Sequence, residues 1–275
     1  MTTERSVHHD GTVRALRGGK SDKPFVKRMN YLALATDYDG TLAKDGHVET
    51  PVLHALNRLR SSGRKIVLVT GREMPELLSV FAEVAICDVV VAENGGVLHW
   101  PREQREEVLA ESPPESLVQE LVRLDIKPFS VGRTILATWR PHETKVLDAI
   151  QRLGLEHQII FNKRAVMILP GGVNKASGLR IALERLGIKP GQTVGVGDAE
   201  NDHAFLDACG VSAAVDNALP ALKDRADIVL TKDHGQGVIG LVERMLDDDL
   251  QSLGPCVPRA EAVERAAEFE RIAGL

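Results

Sequence analysis

The chain has 275 residues, of which 43% are hydrophobic and 27% are charged, so it can bury a substantial core and is not disordered throughout. Its formal charge of −5 argues against a nucleic-acid-binding protein held by phosphate contacts, and no apolar run approaches the roughly 20 residues of a membrane span. The three cysteines, Cys87, Cys209 and Cys256, are widely spaced and suggest neither a disulfide framework nor a zinc site, as expected for a cytoplasmic protein.

Both ends of the chain lack the pattern of a folded core. Residues 1–28 contain seven basic residues and little apolar periodicity, and they lack the apolar stretch of a secretory signal, so we expect a disordered extension. Residues 251–275 contain two prolines followed by an amphipathic stretch over Ala260–Ile272. We therefore predict a C-terminal helical tail over 251–275.

Apolar runs and helical periods alternate along most of the chain from residue 31 onward. Continuous apolar strands that alternate with helices indicate a parallel sheet covered on both faces. The expected strands are Tyr31–Thr36, Lys65–Thr70, Asp88–Ala92, Thr193–Val196, Val211–Val215 and Ile228–Leu230, and the expected helices include Val52–Leu59, Met74–Val84, Lys175–Leu186, Glu200–Ala208 and Val238–Leu246. We predict an α/β fold whose core is a doubly wound parallel sheet formed by residues 29–94 and 171–250.

Residues 95–170 interrupt this alternation. Leu98–Glu111 is polar and charged, and Thr134–Trp139 alternates as a half-exposed strand does. Two further apolar runs, Gln158–Phe161 and Ala165–Leu169, flank a three-residue polar turn, which predicts an antiparallel hairpin. We therefore expect residues 95–170 to fold as an inserted α+β cap domain.

The strongest chemical signal is Asp37-Tyr38-Asp39-Gly40-Thr41-Leu42, which directly follows an apolar strand. Ligand sites in open α/β sheets lie beyond the carboxyl ends of the strands. Two carboxylates at this place repel each other unless a cation or a proton lies between them. A purely structural explanation also exists, since an aspartate can cap such a turn and Gly40 permits a positive φ.

A second acidic segment, Gly197-Asp198-Ala199-Glu200-Asn201-Asp202, follows another predicted strand. Asp198 alone would suffice as the N-cap of a helix. The additional carboxylates of Glu200 and Asp202 are better explained by oxygen ligands for Mg²⁺. A dinucleotide-binding glycine motif is a weak alternative, because position 200 is Glu rather than Gly.

Two smaller signals complete the pattern. Thr70-Gly71-Arg72 ends a predicted strand and offers a hydroxyl and backbone N–H groups to a phosphate oxygen. Lys175 lies in the first turn of a predicted helix, where the helix dipole disfavours a cation, so an anion is expected opposite it. Taken alone, the first is also an ordinary turn, and the second is also a solvated surface lysine.

These four segments come from separate strand ends of one parallel sheet, so all of them can face one crevice. Together they offer a carboxylate nucleophile, a second carboxylate, a hydroxyl, a cation and a metal site. That set of groups is complete for phosphoryl transfer through an aspartyl-phosphate.

The segments DYDGT, VTGR, NKASGL and GDAENDHAFL, in this order, resemble the four motifs of the haloacid dehalogenase (HAD) superfamily phosphatases, over about residues 30–248. The insert between the TGR and NK segments resembles the type-two cap of the Cof-like branch, and AENGG at 92–96 resembles the segment that opens that cap. In length, the insert is closer to phosphoglycolate or sucrose-phosphate phosphatase-like proteins. DYDGTL also resembles trehalose-phosphate phosphatases, but GDAEND departs from the pattern of that family.

The resemblance implies a role for each matching core residue. Asp37 would be the nucleophile, and Asp39 would be the general acid that then acts as the base toward water. Thr70 and Lys175 would hold the phosphoryl oxygens as charge moves in the transition state.

The resemblance also implies a Mg²⁺ site. Asp198 would bind the ion together with Asp37 and the backbone carbonyl of Asp39, and Asp202 would complete or orient the site. Asn201 would contact the substrate or the residues around the metal. The expected substrate-binding residues are Thr70, Gly71, Arg72, Lys175, Asn201 and, in the cap hairpin, Lys163 and Arg164.

The leading interpretation is a Mg²⁺-dependent phosphatase acting on a small phosphorylated metabolite, such as a sugar phosphate or a phosphoglycolate-like ester, without nucleic-acid or membrane partners. A phosphotransferase or phosphomutase-like enzyme and a trehalose-phosphate phosphatase-like enzyme are the enzymatic alternatives. The non-enzymatic alternatives are a receiver-like signalling module and a degenerate HAD scaffold used for binding. Asp39 and the inserted cap weigh against a receiver, which needs neither.

Overall fold

The structure of the protein is a computed structural model that describes residues 29–253. The predicted extension over 1–28 and residues 254–275 of the predicted tail lie outside the described residues, and the described start of the tail, Gln251–Leu253, is a short 3₁₀ helix. The strands are β1 (Ala33–Asp37), β2 (Lys65–Val69), β3 (Val89–Ala92), β4 (Val97–Trp100), β5 (Arg105–Val108), β6 (Phe129–Val131), β7 (Leu136–Trp139), β8 (His157–Asn162), β9 (Ala165–Pro170), β10 (Thr193–Gly197), β11 (Val211–Ala214) and β12 (Ile228–Val229). The α-helices are α1 (Thr50–Ser61), α2 (Met74–Val80), α3 (Glu115–Arg123), α4 (Glu143–Arg152), α5 (Lys175–Leu186), α6 (His203–Ala208), α7 (Pro220–Lys223) and α8 (His234–Asp248).

The larger of two sheets has eight strands in the order β12-β11-β10-β1-β2-β3-β4-β5. The strands from β12 to β3 are parallel to one another. β1 lies between β10 and β2, with Thr36 opposite Val196 and Asp37 opposite Val69. The carboxyl ends of these three strands therefore lie side by side at one end of the sheet.

The burial of the parallel strands follows from their composition. Every residue of β1, β3, β10 and β11 is buried, as continuous apolar runs predict for a sheet between two layers of helices. α1 packs against α8 and α5 packs against α6, and α1, α5 and α6 also contact the sheet. The predicted doubly wound α/β core is confirmed.

The smaller sheet has four antiparallel strands in the order β6-β7-β9-β8. Ile168 of β9 packs with Leu117 of α3 and Val146 of α4 in one apolar cluster. Met167, the preceding residue, lies on the opposite face of the sheet and packs with Ile135 in a separate cluster. β8 and β9 form the predicted hairpin, so the inserted α+β unit is confirmed.

The predicted start of the cap domain at residue 95 is wrong. β4 pairs antiparallel with β3, and β5 pairs antiparallel with β4, so residues 97–108 complete the larger sheet. β5 is an edge strand with mostly exposed residues, which explains why the sequence over 98–111 has a polar pattern. The inserted unit therefore lies within residues 109–170, between β5 and α5.

Four helices begin or end at residues other than those predicted. α1 extends over Thr50–Ser61, two residues beyond the predicted helix at each end. α2 ends at Val80 rather than at residue 84. α6 begins at His203, because Glu200–Asp202 form a 3₁₀ turn in which the Asp202 carboxylate accepts two backbone N–H groups. α8 begins at His234, four residues before the predicted start. Within the part of the chain that the structure describes, no helix combines the length and the apolar character that a membrane span needs.

Candidate active site

Three carboxylates meet at the carboxyl end of the parallel sheet. Asp37 is the last residue of β1, Asp198 directly follows β10, and Asp202 lies in the turn after it. One oxygen from each carboxylate lies within 4.8 Å of the others, and all three residues are buried. Like charges in a dry environment repel strongly, so this arrangement requires nearby cations.

Lys175 supplies one of these cations. It begins α5, which Asn174 caps by accepting the N–H of Ser177 at 3.0 Å. Its side chain is fully buried, and Nζ lies 2.5 Å from Asp37 Oδ1 and 2.6 Å from Asp202 Oδ1. Burial alone lowers the pKa of Lys175, but Asp202 and Asp37 together raise it above its usual value, so the amine stays charged. The alternative of a solvated surface lysine is therefore wrong.

Both oxygens of Asp202 are engaged within the protein. Oδ1 accepts from Lys175, and Oδ2 accepts the backbone N–H groups of Asp198 at 2.8 Å and Ala199 at 2.9 Å. Gly197 is needed for this contact, because a Cβ at that position would lie 2.6 Å from Asp202 Oδ2. Asp202 is thus suited to orient Lys175 and the loop after β10.

The carboxylate oxygens of Asp37 and Asp198 form fewer hydrogen bonds within the protein than those of Asp202 do. Asp37 Oδ1 accepts from Lys175, whereas its Oδ2 has no hydrogen bond within residues 29–253. Asp198 Oδ1 accepts from Thr41 Oγ1 at 3.1 Å, and its Oδ2 lies 2.9 Å from Lys163 Nζ.

Burial raises the pKa of Asp37 well above its usual range, opposed by Lys175, and it also raises the pKa of Asp198, opposed by Lys163. The positive charges of two ammonium groups, those of Lys175 and Lys163, thus compensate the negative charge of the three buried carboxylates only in part. A hard divalent cation fits both the remaining negative charge and the purely oxygen donors.

The Asp39 carboxylate lies apart from this group. Arg72 Nε donates to Asp39 Oδ2 at 2.7 Å, and Arg72 Nη2 donates to Asp39 Oδ1 at 2.8 Å. Of the four residues expected at the metal site, the structure brings together Asp37, Asp198 and Asp202, whereas the side chain of Asp39 forms a two-bond ion pair instead. That side chain is 35% exposed, so water has access to it.

Thr70 and Gly71 form the turn after β2. Thr70 is fully buried, and its Oγ1 accepts the N–H of Arg72 at 3.1 Å. A Cβ at Gly71 would lie 3.1 Å from the sulfur of Met167, so the absence of a side chain lets the smaller sheet approach this turn. The predicted phosphate-binding turn therefore lies between the two sheets.

Asn201 is linked to a residue that the sequence did not place in the site. Its Nδ2 donates to Asn94 Oδ1 at 3.1 Å. Asn201 Oδ1 and Asn94 Nδ2 are both buried without a hydrogen-bond partner among the described residues. Buried polar groups are rarely left unpaired, so a ligand or water is expected here. The AENGG segment was the signal for Asn94, but it was interpreted as the opening of the cap.

Lys163 and Arg164 form the turn of the β8–β9 hairpin and bring it over the site. Lys163 adopts a φ of +55°, and its Nζ reaches Asp198. Both residues line a cavity of about 690 Å³ that opens between the two sheets. Asp37, Asp39 and Arg72 line the same cavity from the larger sheet.

The smaller sheet contributes an apolar wall to this cavity. Ala137, Trp139 and Met167 lie along it, and Trp139 remains 43% exposed there. A bound molecule would therefore have charged groups at the Asp37 end and an apolar surface on the other side, as is usual for small-molecule sites.

We expect Lys175→Met to destabilise the metal-free protein by roughly 3 kcal/mol at neutral pH, because Asp37 and Asp202 lose the cation that compensates them. A carboxyl group whose pKa is higher in the folded protein than in the unfolded chain stabilises the folded state at low pH. This stabilisation is lost as the pH rises through the pKa of the group in the folded protein. Removing Lys175 raises the pKa of Asp37 further. The loss of stability relative to the wild type should therefore begin as the pH rises through the raised folded pKa of Asp37 in the wild type and grow until the pH passes the still higher folded pKa in the variant, as urea unfolding over a series of pH values measures.

The double variant Asp37→Asn/Lys175→Met is the control for this measurement. It also removes an uncompensated carboxylate, so part of the lost free energy of unfolding should return. If Lys175→Met were as stable as the wild type at every pH, Lys175 would not be the compensating cation.

Comparison with known proteins identifies the family to which this chain belongs. The family model of the haloacid dehalogenase-like hydrolases matches residues 34–131 and 132–241. The chain is 31% identical over 222 residues to a phosphoglycolate phosphatase of Methanothermobacter thermautotrophicus, which covers 78% of this chain and 98% of that protein. It is 32% identical over 225 residues to phosphoglycolate phosphatase 2 of Saccharolobus solfataricus, which covers 79% of this chain and 93% of that protein.

Solved structures share the fold. A haloacid dehalogenase-like hydrolase from Bacteroides thetaiotaomicron matches with a TM-score of 0.68 at 18% identity, over 78% of this chain and 99% of that chain. A HAD subclass IIB sugar phosphatase matches with a TM-score of 0.63 at 19% identity, over 78% of this chain and 97% of that chain. The resemblance carried by the four motifs is confirmed, and the chain belongs to the haloacid dehalogenase-like hydrolases.

Proposed function

We propose that the protein is a Mg²⁺-dependent phosphatase that hydrolyses a small phosphomonoester through an aspartyl-phosphate on Asp37. The observation that carries the proposal is the pairing of Asp37 Oδ1 with the buried Lys175, while Oδ2 has no hydrogen bond within the described residues. A carboxylate held in this way is oriented and keeps one oxygen for attack on phosphorus. The similarity to enzymes named phosphoglycolate phosphatases supports the same class of reaction.

The reaction has two steps. In the first, Asp37 Oδ2 attacks phosphorus, the bond from phosphorus to the ester oxygen breaks, and Asp39, which takes up a proton on leaving its ion pair with Arg72, gives that proton to the leaving oxygen. In the second, the Asp39 carboxylate takes a proton from water, the water oxygen attacks phosphorus, and the bond from phosphorus to Asp37 breaks. One water is consumed, and one alcohol and one phosphate are released. Asp39 suits this role because its carboxylate lines the cavity and is accessible to water.

Lys175 and the turn after β2 would stabilise the phosphoryl group. Negative charge spreads over the phosphoryl oxygens in the transition state, so fixed donors beside it lower the barrier. Lys175 is a permanent cation next to the nucleophile, and Asp202 holds it from the other side. Thr70 offers a hydroxyl, and Gly71 offers a backbone N–H at the same strand end.

The residues present fit a bound Mg²⁺. Asp37, Asp198 and the backbone carbonyl of Asp39 would hold the ion, and Asp202 would orient the loop that carries Asp198. The donors are all oxygen, and the negative charge of the three carboxylates Asp37, Asp198 and Asp202 exceeds the positive charge of Lys175 and Lys163 together. When bound, the ion neutralises charge on the phosphoryl oxygens.

The leaving group would occupy the cavity between the two sheets. Lys163 and Arg164, which the sequence suggested together, both line this cavity, but Lys163 alone of the two forms an ion pair with Asp198 among the described contacts. We therefore assign Lys163 to the phosphoryl end and Arg164 to the leaving group, with Arg72 and Asn201 beside the phosphoryl group. A small phosphorylated metabolite fits a cavity of about 690 Å³, and a cytoplasmic location suits such a substrate.

We expect Asp37→Asn to lower turnover of p-nitrophenyl phosphate by roughly a thousandfold or more, because an amide is a far weaker nucleophile than a carboxylate. Steady-state kinetics with Mg²⁺ measures the loss, and unfolding experiments check that the variant is folded. Asp45→Asn is the matched control, since Asp45 is exposed in the loop after the same strand and should be replaceable without effect. More than a few per cent of residual activity, without deamidation of the asparagine, would remove Asp37 from the nucleophile's role.

We expect excess EDTA to abolish turnover, Mg²⁺ to restore it and Ca²⁺ to restore little, because Ca²⁺ favours a larger and looser shell than an in-line attack requires. Asp198→Ala should weaken Mg²⁺ binding by about tenfold or more, and by more than Lys175→Ala does, because Lys175 is not a ligand. Calorimetric titration of each protein with Mg²⁺ alone measures this affinity. Full turnover in excess EDTA would refute the metal requirement.

A further inference from the structure

The turn after β3 has an unusual backbone. Glu93, Asn94 and Gly95 follow one another with φ values of +49°, +54° and +111°. A positive φ is unfavourable for residues with side chains, and two of them in succession persist only where the surrounding contacts determine the conformation. We call Glu93–Gly96 the coupling turn, and its contacts reach four segments around the proposed active site.

The backbone of the coupling turn holds the turn after β2. The N–H of Glu93 donates to the carbonyl of Arg72 at 3.0 Å, and the N–H of Asn94 donates to the carbonyl of Thr70 at 2.9 Å. These two bonds enclose the Thr70–Arg72 segment, whose Thr70 hydroxyl and Gly71 N–H are the proposed donors to the phosphoryl oxygens. The left-handed conformation of Glu93 and Asn94 is thus tied directly to the phosphate-binding turn.

The side chain of Glu93 holds the inserted unit. The residue is only 2% exposed, and its Oε1 accepts the N–H of Arg133 at 2.9 Å. Its Oε2 accepts the N–H of Thr134 at 2.7 Å and the hydroxyl of Thr134 at 3.0 Å. Gly132 completes the fit, because a Cβ there would lie 2.8 Å from the Glu93 carboxyl carbon. One buried carboxylate therefore fixes the segment between β6 and β7 to the larger sheet.

The remaining contacts reach the acidic loop and the start of α5. Asn94 accepts the amide N–H of Asn201, which is next to Asp202. A Cβ at Gly95 would lie 2.0 Å from the carbonyl oxygen of Asn174, so only glycine allows this approach to the residue that caps α5. The coupling turn thus touches the cap, the phosphate-binding turn, the loop after β10 and the helix that begins with Lys175.

We propose that Glu93 is a positioning residue that couples the cap to the phosphate-binding side of the active site. The inference rests on the proposed phosphatase function. Because the carboxylate of Glu93 holds 133–134 while its own N–H holds Arg72, the inserted unit cannot leave its place at this turn without disturbing the turn after β2. The cap therefore does more than cover the cavity, since its position sets the position of Thr70 and Gly71.

Glu93→Gln tests this coupling with little change in size. The side-chain amide of glutamine places an NH₂ donor against the backbone N–H donors of residues 133 and 134, so part of the hydrogen bonding between position 93 and this segment is lost. We expect amide hydrogen exchange at Arg133 and Thr134 to accelerate by roughly tenfold, and exchange at Arg72 to accelerate in the same protein. We also expect kcat for an ester that the wild type hydrolyses to fall by roughly tenfold, with KM changed by less than about twofold, because Thr70 and Gly71 stabilise the transition state more than they stabilise the bound ester.

Glu106→Gln is the matched control, because Glu106 pairs with the exposed side chain of Arg133 at 3.4 Å and contacts no part of the coupling turn in the described bonds. It should leave exchange and kcat within about twofold of the wild type. Thr134→Val removes only the hydroxyl bond to Glu93 and should shift exchange and kcat in the same direction by less, which keeps the test valid if Glu93→Gln fails to fold.

Faster exchange at Arg133 and Thr134 with unchanged Arg72 exchange and unchanged kcat would overturn the coupling, because Glu93 would then only hold the cap. Unchanged exchange at all three amides would overturn it too. If the wild type hydrolyses no phosphate ester with Mg²⁺, the proposed function fails by itself, and the exchange at Arg72 still decides whether the cap and the phosphate-binding turn are coupled.

Discussion

A single buried ammonium group, Lys175 Nζ, lies 2.5 Å from Asp37 and 2.6 Å from Asp202. The three residues of these ion pairs come from the end of β1, the first turn of α5 and the turn after β10, so they meet only in the assembled fold. The same pairing keeps the lysine charged in a dry place and keeps Asp37 oriented. The pairing thus joins the stability of the core to the chemistry of the site, since either carboxylate without the lysine would be an uncompensated buried charge.

The inserted unit does more than cover the candidate active site, because one of its side chains also compensates negative charge there. Lys163, in the β8–β9 hairpin, reaches Asp198, and Met167 of the same sheet packs against Gly71. On the other side, Glu93 holds the segment between β6 and β7. The cap is therefore attached to the larger sheet at the acidic loop, at the phosphate-binding turn and at the coupling turn. A metal cation bound at Asp198 would change the charge that Lys163 compensates in the acidic loop.

The sequence was sufficient for the residues whose position depends on strand ends. Asp37 and Asp198 could be brought to one crevice because parallel strands end on one side of a sheet. The expectation that Lys175 also follows a strand of the parallel sheet is wrong, because α5 follows β9 of the smaller antiparallel sheet. It was insufficient where a turn decides the direction of a side chain: Asp39 lies two residues beyond Asp37, yet its carboxylate turns to Arg72. The edge strand β5 was missed because its exposed residues lack an apolar face. Glu93 was missed as a site residue because a positive φ and a long-range partner leave no local pattern beyond an Asn-Gly-Gly turn.

The most direct test of Asp37 as the nucleophile is to trap its phosphorylated form. Asp39→Asn should slow the second step, because the amide cannot take the proton from water. The full-length variant is mixed with Mg²⁺ and p-nitrophenyl phosphate, whose leaving group departs without a proton from Asp39, quenched in acid within the first turnover, and its peptides are analysed by mass spectrometry. We expect the peptide that contains Asp37 to carry one phosphoryl group, which hydroxylamine removes. Wild-type turnover with no phosphoryl group on Asp37 in either protein, or with the group on another residue, would contradict the mechanism.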